Sequence, residues 1–168
     1  MFPNNTLNIC VATEEHFPRI AEIFKKVVST GDSYVFLPNA GDEEARAYWL
    51  SPEFKSFVAI DEGRVVGMYK LRANNIGLGV HVANASFMVD SSTRGSGVGR
   101  AMGQHCLDQA RRDGFKSMQF NFVVSTNTPA VKLWQSLGFD IVGTLPAAFN
   151  HMQLGYVDAY VMYRSLKT

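Results

Sequence analysis

The sequence is short of cysteine, of net charge and of long apolar runs, and each shortage removes a class of function. Only Cys10 and Cys106 occur in 168 residues. With no CxxC and no histidine at metal-ligand spacing, no metal site is expected, and both cysteines read as buried thiols. His105 beside Cys106 makes no catalytic pair, because neighbours on a helix point about 100 degrees apart. Sixteen Lys plus Arg against fifteen Asp plus Glu leave a formal charge of +1. The densest basic spots are the pairs Lys25-Lys26 and Arg111-Arg112, too little for a nucleic-acid groove. A stretch without Asp, Glu, Lys or Arg runs from Ala73 to Val89, but Asn74, Asn75, His81, Asn84 and Ser86 interrupt it. It falls short of the roughly 18 to 20 apolar residues of a membrane span. The N-terminal MFPNNTLNIC lacks the basic start and apolar middle of a secretory signal, so a cytoplasmic protein is expected.

What is present suits one domain over residues 1–168: 46% hydrophobic and 18% charged residues, with no repeat or Pro/Ser linker. Strands and helices alternate along the chain, which predicts an α/β or α+β domain. Ile9 and Val11 mark a first strand. Phe17, Ile20, Phe24, Val27 and Val28 line one face of a helix that Gly31 ends. A second helix begins with Asp42 as its cap and stops before Pro52. SFVAI and RVVGMYKLR form a hairpin around Glu62-Gly63. HVANASFMVD (81–90) is a strand, and SSTRGSGVG leads into a helix from Val98 to Arg112. SMQFNFVV (117–124) is the next strand, followed by the helix TNTPAVKLWQSLG, with Pro129 at its first position and Thr128 as its cap. GFDIVGTLP and AYVMYRSL are closing strands around a long connection, Pro146 to Asp158, of the length that is more often functional than idle.

The informative segment is RGSGVG, Arg94 to Gly99, between a strand and a helix. Glycines let the backbone approach a ligand, and the following helix presents free N–H groups and its positive dipole end. The segment therefore reads as an anion site, with Arg94 placed for a phosphate. G-x-G-x-G is not the dinucleotide G-x-G-x-x-G, and no G-K-[ST] follows, so dinucleotide and nucleoside-triphosphate readings lose weight.

SFMVD followed by RGSGVGRAM resembles the R-x-x-G-x-G signature of the GNAT superfamily of N-acetyltransferases, with Arg94, Gly97 and Gly99 on its fixed positions. Asn127 to Phe139, NTPAVKLWQSLGF, resembles the superfamily's second motif, an Asn before a helix that ends in Gly-Phe. The resemblance implies a central mixed, mostly antiparallel sheet of about six or seven strands, splayed in the middle and flanked by about four helices. It implies acetyl-CoA as co-substrate, with no metal. Its diphosphate would rest on Arg94, Gly95, Ser96, Gly97, Val98, Gly99 and Arg100. Its pantetheine arm would run beside Phe87, Met88 and Val89 and reach Asn127 and Trp134. The resemblance also allows a homodimer, although no segment marks an interface.

Transfer to an amine needs an unprotonated nucleophile, stabilisation of the developing oxyanion and a proton for the departing thiolate. In the superfamily a backbone N–H of the cofactor strand, here near Phe87 to Val89, serves the oxyanion. The thiolate commonly meets a tyrosine at the position occupied here by Trp134, whose indole is no acid. A thiol with a pKa of about 8.5 still leaves with modest help near neutrality. Asn127 is the neighbour expected to assist, if its amide is free of a capping role. Asp90 and His81 flank the cofactor strand, yet neither is assigned as a base.

Asn84 and Asn121 sit in the two strands that would flank the wedge, where a carboxamide can bind a carboxylate without adding charge. With Asn127, LPAAFNH and GYVDAYVMYRSL they resemble the subgroup containing fungal acetyltransferases that detoxify proline analogues such as azetidine-2-carboxylate. That resemblance implies a small, amino-acid-like amine as acceptor. Residues 146–158, with Phe149, His151 and Tyr156, would then be a lid, with Phe149 and Tyr156 meeting the substrate. Two alternatives stand beside this reading: a peptide or protein N-terminal acetyltransferase, and a noncatalytic acyl-CoA sensor.

Overall fold

The computed structural model describes residues 7–167. Among these residues seven strands form one sheet: β1 (Asn8–Val11), β2 (Lys55–Asp61), β3 (Arg64–Ala73), β4 (Val82–Val89), β5 (Ser117–Val124), β6 (Asp140–His151) and β7 (Gly155–Ser165). Their spatial order is β1-β2-β3-β4-β5-β7-β6. Every neighbouring pair is antiparallel except β4 and β5, which run parallel at the centre. The expected mixed, mostly antiparallel sheet with four helices is therefore present.

Helices α1 (Phe17–Val28) and α2 (Asp42–Trp49) pack on one face, and α3 (Val98–Arg112) and α4 (Thr128–Ser136) on the other. Pleating decides which residues go where, because successive side chains of a strand alternate between faces. Val58, Met68 and Met88 join Ile20, Ile23, Phe24 and Trp49 under α1 and α2. Phe57, Tyr69, Leu71 and Phe120 join Met102, Cys106, Leu107 and Trp134 under α3 and α4. Phe24 and Trp49 are fully buried, and truncating either to Ala costs about 3–5 kcal/mol.

Glu62 and Gly63 both take positive φ, 47° and 78°, which closes the β2–β3 hairpin with a turn twisted to match its strands. At α3 the close approach of α4 requires glycine: a Cβ at Gly103 would stand 2.6 Å from Leu137 Cδ1. Helix α3 thus lies deep against α4, and its N-terminus is held next to the end of β4.

Four expectations are corrected. Gly41, not Asp42, is the residue before α2; its N–H donates to Glu44 Oε2 at 2.9 Å, so the first-turn acid performs the capping. Asn127, not Thr128, caps α4: its Oδ1 accepts from the Ala130 N–H at 3.4 Å, and Thr128 and Pro129 lie inside the first turn. Cys10 is only half-buried, because β1 is an edge strand. Residues 146–158 are not a loop but the continuing arms of the β6–β7 hairpin. The pairing slips between Leu145 and Phe149, Ala147 adopts a positive φ of 50°, and Asp158 Oδ1 takes the Ala147 N–H at 2.8 Å.

Candidate active site

Strands β4 and β5 pair at only two positions, Val82 with Ser117 and Ala83 with Met118, and then part. The third pairing would join Asn84 to Gln119. There the Asn84 side chain reaches across instead, its Nδ2 donating to the Gln119 carbonyl at 2.9 Å. Beyond it the strands diverge around a cleft of about 260 Å³.

The register of β3 with β4 fixes what β4 offers to this gap. Asp90 N–H donates to the Val66 carbonyl at 2.8 Å, and the Val82 carbonyl accepts from Asn74 N–H at 2.7 Å. In an antiparallel ladder a residue's N–H and C=O turn the same way, and the direction alternates. Even-numbered residues of β4 therefore face β3, while Ala85, Phe87 and Val89 direct their N–H and C=O groups into the gap. The Phe87 carbonyl is occupied, because the phenol of Tyr34 donates to it. Met88 offers the gap nothing: its backbone faces β3, and its side chain is buried under α1 and α2. Of the three strand residues expected beside a pantetheine arm, Phe87 and Val89 turn their main-chain groups toward the gap and Met88 does not.

At the end of β4 the chain passes through a short turn, Ser91–Thr93, into the glycine segment. Asp90 is 2% exposed and anchors this turn: Oδ1 accepts from Ser92 N–H at 3.2 Å, and Oδ2 pairs with the Arg19 guanidinium of α1. Arg19 Nε in turn donates to the Val65 carbonyl at 3.0 Å. Burial opposes ionisation of Asp90, but the Ser92 bonds and the Arg19 and Lys26 charges outweigh it and hold the carboxyl below its ordinary value. Engaged in this way, Asp90 is no base for an acceptor. His81 is exposed at the far end of β4.

Gly95 and Gly97 take positive φ, 80° and 95°, and a Cβ on either would meet nothing within 4 Å, so open space lies in front of them. Among the described residues the N–H groups of Gly95, Gly97, Val98, Gly99 and Arg100 have no protein acceptor. The last three are the first turn of α3, where no carbonyl lies four residues back in the helix. This cradle of main-chain donors beside a positive helix end fits a diphosphate. Ser96 is turned inward, its hydroxyl on the Thr93 carbonyl. Val98 is buried, and Gly99 faces Leu133 Cδ2 at 3.2 Å, so it serves helix packing as well. Arg94 is exposed; Arg100 Nη2 donates to Ser136 Oγ at 2.7 Å and ties α3 to α4.

The α4 side of the cleft is walled by Trp134, whose ring lies 4.7 Å from Phe87 and 4.8 Å from Phe120. Asn127 also lines it, and while its oxygen caps α4, its Nδ2 has no partner among the described residues. The opposite mouth is lined by Ser33, Tyr34, Val35, Tyr48, Asn84, Ser86, Asn121 and Phe122, and no Asp or Glu lines it among the described residues. Tyr48 donates to Ser86 Oγ at 2.9 Å. Behind it Lys70, 7% exposed, donates to the Tyr48 carbonyl at 2.9 Å and lies 3.1 Å from the Tyr48 ring centre. Burial and the Arg72 charge push the Lys70 ammonium down to about 7, while the ring faces favour its charged form.

Asn121 has both ends of its amide engaged, Nδ2 on Asn74 Oδ1 at 2.7 Å and Oδ1 on Gln119 Nε2 at 2.9 Å. Neither Phe149 nor Tyr156 lines the cleft: Phe149 is buried behind Phe122, and Tyr156 is 74% exposed. The β6–β7 turn nevertheless meets the segment between α1 and α2. Met152 N–H donates to the Gly31 carbonyl at 3.1 Å, clasping the segment between α1 and α2 that carries Tyr34. Tyr34 and Tyr48 were not found by sequence reading, because tyrosines in an aperiodic segment and a short helix belong to no spaced motif.

Comparison with known proteins gives one family. Residues 20–139 match the profile of the acetyltransferase (GNAT) family. The chain is 37% identical over 98 residues to N-acetyltransferase aca1 of Schizosaccharomyces pombe, a match covering 58% of this chain and 47% of that protein. It thus spans about half the length of that curated relative. It is 32% identical over 117 residues to L-amino acid N-acetyltransferase AaaT of Escherichia coli, covering 67% of this chain and 69% of that one. Among solved structures, a GCN5-related N-acetyltransferase from Kribbella flavida superposes with a TM-score of 0.90 at 46% identity, covering 95% of this chain and 98% of that one.

Proposed function

The chain belongs to the acetyltransferase (GNAT) family, and from that premise we propose that it transfers the acetyl group of acetyl-CoA to the amine of a small, amino-acid-like acceptor. The observation that carries this reading is the parting of β4 from β5 after two pairs, next to a cradle of unpaired N–H groups. Gly95 to Arg100 would hold the diphosphate. Val89, with N–H and C=O both open, offers the pairing that a secondary amide of the pantetheine arm needs. Phe87 N–H, beside its occupied carbonyl, is the donor for the thioester oxygen. It strengthens its hold as negative charge develops there, and loss of one such donor typically costs about 2.7–4 kcal/mol.

The acceptor nitrogen attacks the thioester carbon, the C–S bond breaks, and the nitrogen's proton passes to the departing sulfur through solvent or directly. Trp134 and Phe120 make the wall at this point apolar, and Asn127 Nδ2 offers a neutral donor to the sulfur.

Two features support a small acceptor bearing a carboxylate. The Met152–Gly31 hydrogen bond ties the β6–β7 turn to the segment that carries Tyr34 and Val35 at the cleft, which would narrow the path for a peptide. The mouth has no acidic side chain, whereas Lys70 and Arg72 stand behind it, so a polyamine would find no counter-charge and an amino acid would. The narrower resemblance to proline-analogue acetyltransferases points to the same class. The test is thiol release from acetyl-CoA across free amino acids, polyamines and short peptides, with the acetylated product identified by mass. Turnover on free amino acids is expected; turnover on peptides alone, or on none, would overturn the reading.

A further inference from the structure

Resting on that reading of the cleft, we propose that Tyr34 orients the acceptor amine, its phenol oxygen accepting an N–H of the amine while its own proton remains on the Phe87 carbonyl. A tyrosine hydroxyl both donates and accepts. Here the donor half is committed to Phe87, so the oxygen can present only lone pairs to an incoming group. Phe87 is also the residue whose N–H faces the gap, and a residue's N–H and C=O leave the strand on the same side. An amine bound at the Tyr34 oxygen is therefore beside the place where the thioester oxygen is gripped. One N–H of the amine is held, and its lone pair is turned toward the carbonyl carbon.

Other parts of the site leave this task open. Among the described residues no Asp or Glu lines the cleft to anchor the nitrogen by charge. Tyr48 spends its proton on Ser86 Oγ, deeper toward Lys70. Trp134 occupies the helix position from which a phenol could otherwise approach. Burial raises the Tyr34 phenol well above its ordinary value, which keeps its proton on Phe87 throughout the working pH range. The Met152–Gly31 clasp holds the segment from which Tyr34 projects.

The test is Tyr34→Phe, which keeps the ring and removes one oxygen, assayed with free L-amino acids as probes. The acceptor KM should rise about tenfold, with a smaller fall in kcat. Coenzyme A affinity by calorimetry should stay within about twofold, while the melting temperature falls by a few degrees, because the Phe87 carbonyl loses its donor in a buried setting. An unchanged acceptor KM would overturn the proposal. So would a loss of coenzyme A affinity equal to the change in KM, which would make Tyr34 a support of the cofactor strand. Failure of the acetyltransferase reading itself is distinct: the unsubstituted protein would then release no thiol with any amine, and the proposal would fall with it.

Discussion

Asn84 donates its side-chain amide to the carbonyl of Gln119 at 2.9 Å, at the position where the next β4–β5 backbone pair would fall. The amide satisfies a carbonyl that the divergence would otherwise leave bare, so the sheet opens without an orphaned polar group. Asn84→Ala should destabilise the fold by about 1–2 kcal/mol, the usual cost of an unsatisfied partner. Because the mouth of the cleft is rebuilt, turnover should also fall by more than acetyl-CoA affinity. Denaturant unfolding together with calorimetry measures both.

Gly97 and Gly99 should respond differently to substitution although they are two residues apart. A side chain at Gly97 projects into open space, so Gly97→Glu should fold, with a backbone cost of about 1–2 kcal/mol from its positive φ. It would set a carboxylate where a diphosphate belongs and abolish coenzyme A binding in calorimetry. Gly99→Val meets Leu133 and should instead appear as lowered thermal stability, with binding lost in proportion.

The Asp90–Arg19 pair couples α1 to the phosphate turn and should make both stability and cofactor affinity sensitive to acid. The folded carboxyl is held below its ordinary value. Its contribution is therefore complete above the unfolded carboxylate pKa of about 3.9 and disappears as pH falls through the lower folded value. Asp90→Asn should cost about 1–3 kcal/mol at neutral pH, because Arg19 loses its buried partner and keeps only the exposed Glu22 carboxylate. The gap between variant and parent should narrow below pH 4 in urea unfolding. Adding Arg19→Met should recover part of the loss.

Asn127 both caps α4 and faces the cleft, and one substitution separates the two. Asn127→Ser retains a capping oxygen and discards the amide nitrogen. Unfolding stability should be nearly unchanged, while kcat falls about tenfold through loss of one hydrogen bond to the leaving group. Equal, small effects on both would leave the residue as a cap.

Most of the backbone was legible because local rules governed it. The turn at Glu62-Gly63 has the chemistry its strands demand, and Arg94 to Gly99 joins glycine freedom to a helix end. Misreadings arose where distant partners decide. Pro146 and the alanines after it suggest a loop, but Asp158 substitutes for a missing ladder partner and lets β6 continue. Pro129 suggested a cap one residue late, since proline is tolerated at either of the first two helical positions. Asn84 was found as a cleft residue, but its bond to Gln119 was not, because that bond depends on where two strands separate. Tyr34 reaches β4 from an aperiodic segment, and Tyr48 from a helix whose pattern reports only burial.

The central claim is that the open edge of β4 and the glycine cradle together hold coenzyme A. The most direct measurement is an amide-resolved NMR titration of the protein with coenzyme A. The N–H signals of Phe87, Val89 and Gly95 to Arg100 should move together and saturate at one affinity, while those of Gly63 and Gly114, in distant turns, stay still. Shifts clustered away from these amides, or no shifts at millimolar coenzyme A, would contradict it.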